Sequence, residues 1–196
     1  MEPHETHELI EQTEEAKHKS RNWTALTISV MAMVLAINNV GGGNASKEAA
    51  RHNIEASNYY AFYQAKSIKQ TQAKIAADFL QLDLDLPSKA KLTPPEAKLI
   101  AHKLTEYQES IIHYESDEKS GEGKKQLLEK AKEHEVERDH ALRQDPWFDY
   151  AEGILQIGIV LLSISILASM PILTMAGAFL GIIGSVCMLN GYFLFF

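Results

Sequence analysis

Hydrophobic and polar positions divide this chain into two unlike kinds of block. Between Asn22 and Ser46, and again from Gly153 to Phe196, there is no Asp, Glu, Lys or Arg. The first apolar run, Trp23 to Val40, would be about 27 Å long as a helix, just enough to cross the hydrocarbon core of a bilayer. The C-terminal run would be about 66 Å long, roughly twice that thickness, so it must fold back on itself. Ser169-Met170-Pro171 is the predicted turn, because Pro in the first position of a new helix gives up no intrahelical hydrogen bond. Aromatics bracket the three runs as residues at a membrane interface do: Trp23 at the first, Trp147, Phe148 and Tyr150 at the second, Tyr192 to Phe196 at the third.

The intervening segment has a helical period. Ala61, Ala65, Ile68, Ile75, Phe79 and Leu82 recur in alternating steps of three and four, interrupted only by Gln72, which makes a seam like that of a coiled coil. A break falls at Leu86 to Leu92. Thr93-Pro94-Pro95-Glu96 then has the form of a capping box, and Ile100, Leu104, Tyr107, Ile111 and Tyr114 repeat the spacing. Ser120-Gly121-Glu122-Gly123 is a place for the second arm to bend or break before it resumes through Gln144. Asp145-Pro146 is expected to cap and start the second membrane helix.

The predicted fold is therefore an all-α integral membrane protein. It has an acidic tail at 1–22, transmembrane helices at 23–40, 146–169 and 171–196, and a soluble antiparallel helical hairpin at 41–145. The long acidic tail and Asn38-Asn39 argue for an uncleaved first helix over a signal peptide. Lys17, Lys19 and Arg21 before the first run place the N-terminus in the cytoplasm and the hairpin outside it, although Lys47, Arg51, Arg138 and Arg143 lie on the other flank.

Two stretches, NIEASNYYAFYQAKSIKQ after the first apolar run and RQDPWFDYAEGILQIGIVLLSISIL at the second, resemble an uncharacterised bacterial membrane family, domain of unknown function 4337. The resemblance covers most of the chain, apart from the acidic tail before Glu14 and the course around Gly121 to Gly123. It implies a protein of the bacterial inner membrane with this helix order. It transfers no catalytic residue.

Charge and composition narrow the chemistry. The net charge is −7 and no region is strongly basic, so the chain lacks the phosphate-neutralising surface that nucleic acid requires. The one cysteine, Cys187, lies in the last apolar run, which excludes an intrachain disulfide and a Cys-based zinc site. His134 to His140 fails the metalloprotease pattern because Arg138 stands where the second His would be. Glu15-x-x-His18 and Glu137-x-x-His140 have the unit spacing of di-iron bundles, but they lie on opposite sides of a membrane helix. Glu2, Glu5, Glu8, Glu11 and Glu14, with His4 and His7, make an acidic helix start that the macrodipole favours. No catalytic residue, metal or cofactor is expected, and no enzyme.

The interaction candidates are of three kinds. Gly177, Gly181 and Ser185 recur every four positions and allow a close helix crossing, either within the subunit or between subunits. Asn38, Asn39, Glu152 and Gln156 are polar residues expected at similar depth, with Glu152 bonding to the asparagines. Tyr59, Tyr60, Phe62 and Tyr63 cannot all face one way on a helix, so some are expected to meet the second arm and others to remain available. These features predict a homo-oligomeric scaffold in contact with membrane lipid, with a protein partner possible through the hairpin. The alternative is a subunit of a channel-like or transport assembly whose pathway forms on oligomerisation.

Overall fold

A computed structural model describes residues 3–86 and 93–196, with side chains from residue 14 onward, residue 16 excepted. The Glu and His side chains of the tail up to position 11 and most of the predicted break at Leu86 to Leu92 lie outside the described residues. Four helices follow in order: α1 (Pro3–Asp85), α2 (Pro94–Glu115), α3 (Lys124–Ala168) and α4 (Pro171–Phe193). Among the described residues there is no strand. Three of the helices, α1, α3 and α4, are long and apolar enough to cross a membrane.

Two helix boundaries fall where the sequence puts them. Glu96 reaches back to accept the backbone N–H of Thr93 at 2.8 Å, which opens α2. Ser169, at φ 51, and Met170 separate α3 from Pro171, the first residue of α4.

Two other expectations need correcting. Asp145-Pro146 does not start a helix, since Pro146 sits inside α3. The proline lacks the N–H that the Leu142 carbonyl would otherwise receive, a loss that nearby packing offsets. The Asp145 carboxylate accepts the Ser46 hydroxyl at 2.5 Å instead of capping, and the following Phe148 is only 3% exposed. Phe148 is therefore a core residue and not an interfacial one. In addition, α1 continues unbroken through Gly41-Gly42-Gly43, although each glycine costs a helix about 1 kcal/mol relative to alanine.

The chain divides into two compact units, residues 1–49 with 139–196, and residues 50–138. In the first, Met31 of α1 packs with Leu155 and Leu162 of α3, and Ile28, Val34, Leu35 and Ile159 surround them. In the second, α1 runs antiparallel to an arm made of α2 and the start of α3. His52 meets His134 near one end, and Gln70 meets Glu115 about midway, where α2 ends.

Candidate interaction surface

The glycines of α4 show why residues 1–49 and 139–196 pack as they do. A Cβ on Gly177 would lie 2.7 Å from Leu162 and 2.9 Å from the Gly158 carbonyl; one on Gly181 would lie 2.7 Å from the Met31 sulfur. Gly184 faces Leu155 and Gly191 faces Phe148 in the same way. Gly177 and Gly181 are therefore used in close packing within the chain. Ser185 is half-buried, and its hydroxyl donates to the Gly181 carbonyl at 2.7 Å. The packed stripe steps from Gly181 to Gly184, so it leaves the every-four row that leads to Ser185.

The asparagine contact differs from the expected one. Asn38 is 1% exposed and donates from Nδ2 to the Phe148 carbonyl at 2.9 Å, while its Oδ1 has no hydrogen-bond partner. Asn39 is exposed, and Glu152 accepts from Gln156 at 2.8 Å, one turn along its own helix. Asn38 is thus the residue whose place on α1 faces α3. Its neighbours complete a tight cluster: Phe148 lies against Gly41 and Gly42, and Tyr192 packs edge-on to Phe148 and donates its hydroxyl to the Ile37 carbonyl at 3.1 Å.

In residues 50–138 the buried face of α1 is not the predicted seam. Ala56, Gln70, Ala73 and Ala77 are buried, with His52, Tyr59, Tyr63 and Leu80 half-buried between them. These positions keep heptad steps, and their polar members all have partners. His52 and His134 share a hydrogen bond at 2.8 Å between Nδ1 atoms, and Tyr59 stacks on His134. Gln70 donates to Glu115 at 2.9 Å and accepts from Lys124 at 2.9 Å. Those donors hold the Glu115 carboxyl below its ordinary pKa, Gln70 contributing most and Lys124 next.

The four aromatics divide accordingly. Tyr59 and Tyr63 turn inward beneath the ammonium groups of Lys130 and Lys124, at 5.8 and 5.4 Å from the ring centres. Tyr60 donates to Glu135 at 3.0 Å, and this bond to the carboxylate raises the phenol's pKa. Phe62 is 60% exposed.

Outside lies the predicted seam. Ile54, Ile68, Ile75, Phe79, Leu82 and Leu86 are between 50% and 65% exposed, and Ala61 and Ala65 are exposed in the same stripe. Ile54, Ala61, Ile68, Ile75 and Leu82 follow one another at intervals of seven. Sequence reasoning found this stripe because it is the more apolar one. It missed the inner face, whose alanines and paired polar residues give a weaker signal.

Among the described residues no three His, Cys, Asp or Glu side chains converge into a metal-holding group. The arrangement offers helix-packing surfaces. It is that of an all-helical protein with three helices apolar and long enough to cross a membrane. The chain belongs to the family described as domain of unknown function (DUF4337), whose model matches residues 20–194. No curated protein and no solved structure matches it.

Proposed function

We propose that this is an integral membrane protein that assembles with copies of itself through the outer seam of α1 and serves as an oligomeric, non-enzymatic scaffold. One observation carries the reading: α1 has two heptad faces between Ile54 and Leu86, and the hairpin closes on the less apolar one. A heptad row of Ile and Leu left in water is costly, and its natural cover is the matching row of another helix. Ile54, Ile68, Ile75, Phe79, Leu82 and Leu86 are each half or more exposed along one face, a continuous apolar row of the kind a partner helix covers. A second copy supplies an identical row by symmetry.

Membrane insertion is supported by the apolar exterior of α1, α3 and α4, where Leu26, Val30, Met33, Ile157, Val160 and Phe179 all face outward. Met31, Leu155 and Leu162 pack between α1 and α3, which favours a scaffold over a pathway within one subunit.

Native mass spectrometry of the full chain in mild detergent tests the assembly. The wild type is expected as a defined oligomer, and Ile68→Glu/Ile75→Glu as a monomer with unchanged helix content. An unchanged mass for the variant overturns the seam as the interface.

A further inference from the structure

A cleft of ≈ 570 Å³ lies where residues 14–24 of α1 meet the turn between α3 and α4. Its polar lining is unusual for a chain of net negative charge. Lys17, His18 and Arg21 stand on one side, and Ser20 and Thr24 continue the same stretch of α1. Glu14 also lines the cleft, so two permanent cations face one carboxylate. Among the described residues neither Lys17 nor Arg21 has an acidic partner. Among the described residues Arg21 contacts the Nδ1 of His18 at 3.0 Å, which uses one of its five donors.

The opposite wall is shaped by the α3–α4 turn. Ser165 donates to the Met170 carbonyl at 3.0 Å and contacts the Thr174 hydroxyl, which fixes the turn. α4 begins at Pro171, which has no N–H, and the Leu173 N–H is taken by the Met170 carbonyl at 3.1 Å, so the positive charge here comes from the cations of α1. Ile166, Met170 and Pro171 supply apolar surface beside these polar groups. Two cations and the Ser20 hydroxyl suit an oxyanion, and the apolar wall suits something attached to it.

We propose that this cleft binds a phosphate group, and that the headgroup phosphate of an anionic phospholipid is the form that fits it. The guanidinium of Arg21 and the ammonium of Lys17 take the oxygens, and the glycerol and acyl ends lie along Ile166 and Met170 towards the apolar helices. The volume is of the order of an ordinary ligand site, about 300 to 1,000 Å³. A basic pocket between helices at the edge of their apolar segments is where such headgroups are held. The inference uses the membrane reading but not the seam, so its failure leaves the assembly proposal untouched.

Native mass spectrometry of the full chain with added phosphatidylglycerol or phosphatidylcholine tests it, with inorganic phosphate as a separate arm. Phosphatidylglycerol adducts are expected to survive preferentially on the wild type. They should fall at least about tenfold in Lys17→Gln/Arg21→Gln, given the attraction each surface cation contributes. Lys47→Gln/Arg143→Gln removes the same charge elsewhere and should keep the adducts, and equal melting in phosphatidylcholine micelles shows that both variants fold. If millimolar phosphate alone stabilises the wild type but not the first variant, with no lipid preference, the site stands and its ligand is soluble phosphate. Equal adducts on wild type and Lys17→Gln/Arg21→Gln, with no response to phosphate, overturn it.

Discussion

Residues 1–49 with 139–196 and residues 50–138 are both helical, but they use apolar residues in opposite ways. In the first unit most large hydrophobics point outward, and the helix contacts are made by a few buried ones, Met31, Phe148, Leu155 and Leu162, seated on Gly158, Gly177, Gly181, Gly184 and Gly191, with Asn38 buried among aromatics. In the second, α1 carries an exposed apolar stripe from Ile54 to Leu86, Leu99, Ile112 and Val136 are exposed singly on the other arm, and the interior is built mainly from alanines, Leu127 and paired polar groups. An apolar outside on all faces is what a lipid environment asks for, since packing there comes from close approach and not from hiding oil from water. A contiguous apolar stripe on a surface where other exposed hydrophobics stand singly is what a partner asks for. In both units the most apolar rows mark what lies outside the chain, and small residues mark where helices come closest within it.

The contrast is broken most severely at the glycines. A Cβ on Gly41 would stand 2.6 Å from the Phe148 ring and 2.7 Å from the Tyr192 hydroxyl, whereas one on Gly43 meets nothing within 4 Å. Gly41→Ala is expected to cost about 3 kcal/mol, the upper part of the usual overpacking range, because Phe148 is wedged against Gly191 as well. Gly43→Ala should stabilise by up to about 1 kcal/mol, the helix propensity it gains. Thermal unfolding of the purified protein in one detergent separates the two. Equal effects would mean that the Phe148 contact does not hold the helices together.

The two faces of α1 in residues 50–138 give a smaller, sharper test. Ala73 is 5% exposed, so Ala73→Val forces extra volume into the hairpin and should lower its stability by about 1 to 2 kcal/mol. Ile75, two positions on, is half exposed. Ile75→Ser should leave the stability of the dissociated subunit within about 0.5 kcal/mol and act on assembly alone. Urea unfolding and oligomer mass, measured together on both variants, should move in this crossed pattern. The same change in both readouts would erase the distinction between the faces.

Much of this fold was legible because some signals are local. The Ser169–Pro171 turn and the Thr93–Glu96 helix start depend on residues next to one another and fall where expected, while the bend or break expected at Ser120 to Gly123 is an interruption that already begins after Glu115. Helix phase was not legible where it depends on a distant partner. The more apolar heptad of α1 could be recognised as a seam, but only the positions of His134, Glu115 and Lys124 reveal that His52 and Gln70 can afford to be inside. Likewise Asn38 and Asn39 are equivalent in sequence, and the Phe148 carbonyl distinguishes them. Pro146 misled for the same reason: a local breaker is overruled by Phe148 and Asp145, whose contacts lie about a hundred residues away in sequence.

The smallest expected effect is confined to the turn at 116–123 and tests whether the polar side of the comparison is held by charge. Asp117 accepts the backbone N–H groups of Lys119 and Ser120 at 3.1 and 3.2 Å, together with the Ser120 hydroxyl. Its carboxyl is held below the ordinary range, chiefly by the Ser120 hydroxyl and then by that residue's N–H. The turn tolerates no bulk, since a Cβ on Gly123 would lie 2.3 Å from the Asp117 nitrogen. A carboxylate with a depressed native pKa contributes stability that is complete above its unfolded pKa and is lost as pH falls through the native one. Glu115 shifts in the same direction, so both groups weaken the arm on the acid side and neither does so near neutrality. Amide hydrogen exchange at 116–123, corrected for intrinsic rate, should therefore be flat from neutral pH down to the ordinary carboxylate range and rise below it. Asp117→Asn should show the faster exchange already at neutral pH, because a neutral amide accepts those N–H bonds less strongly. The apolar helices contain no group that titrates in this window between Gly153 and Phe193, so their exchange should not follow. If protection in α4 falls with the same pH profile, the acid response belongs to the whole chain and not to this turn.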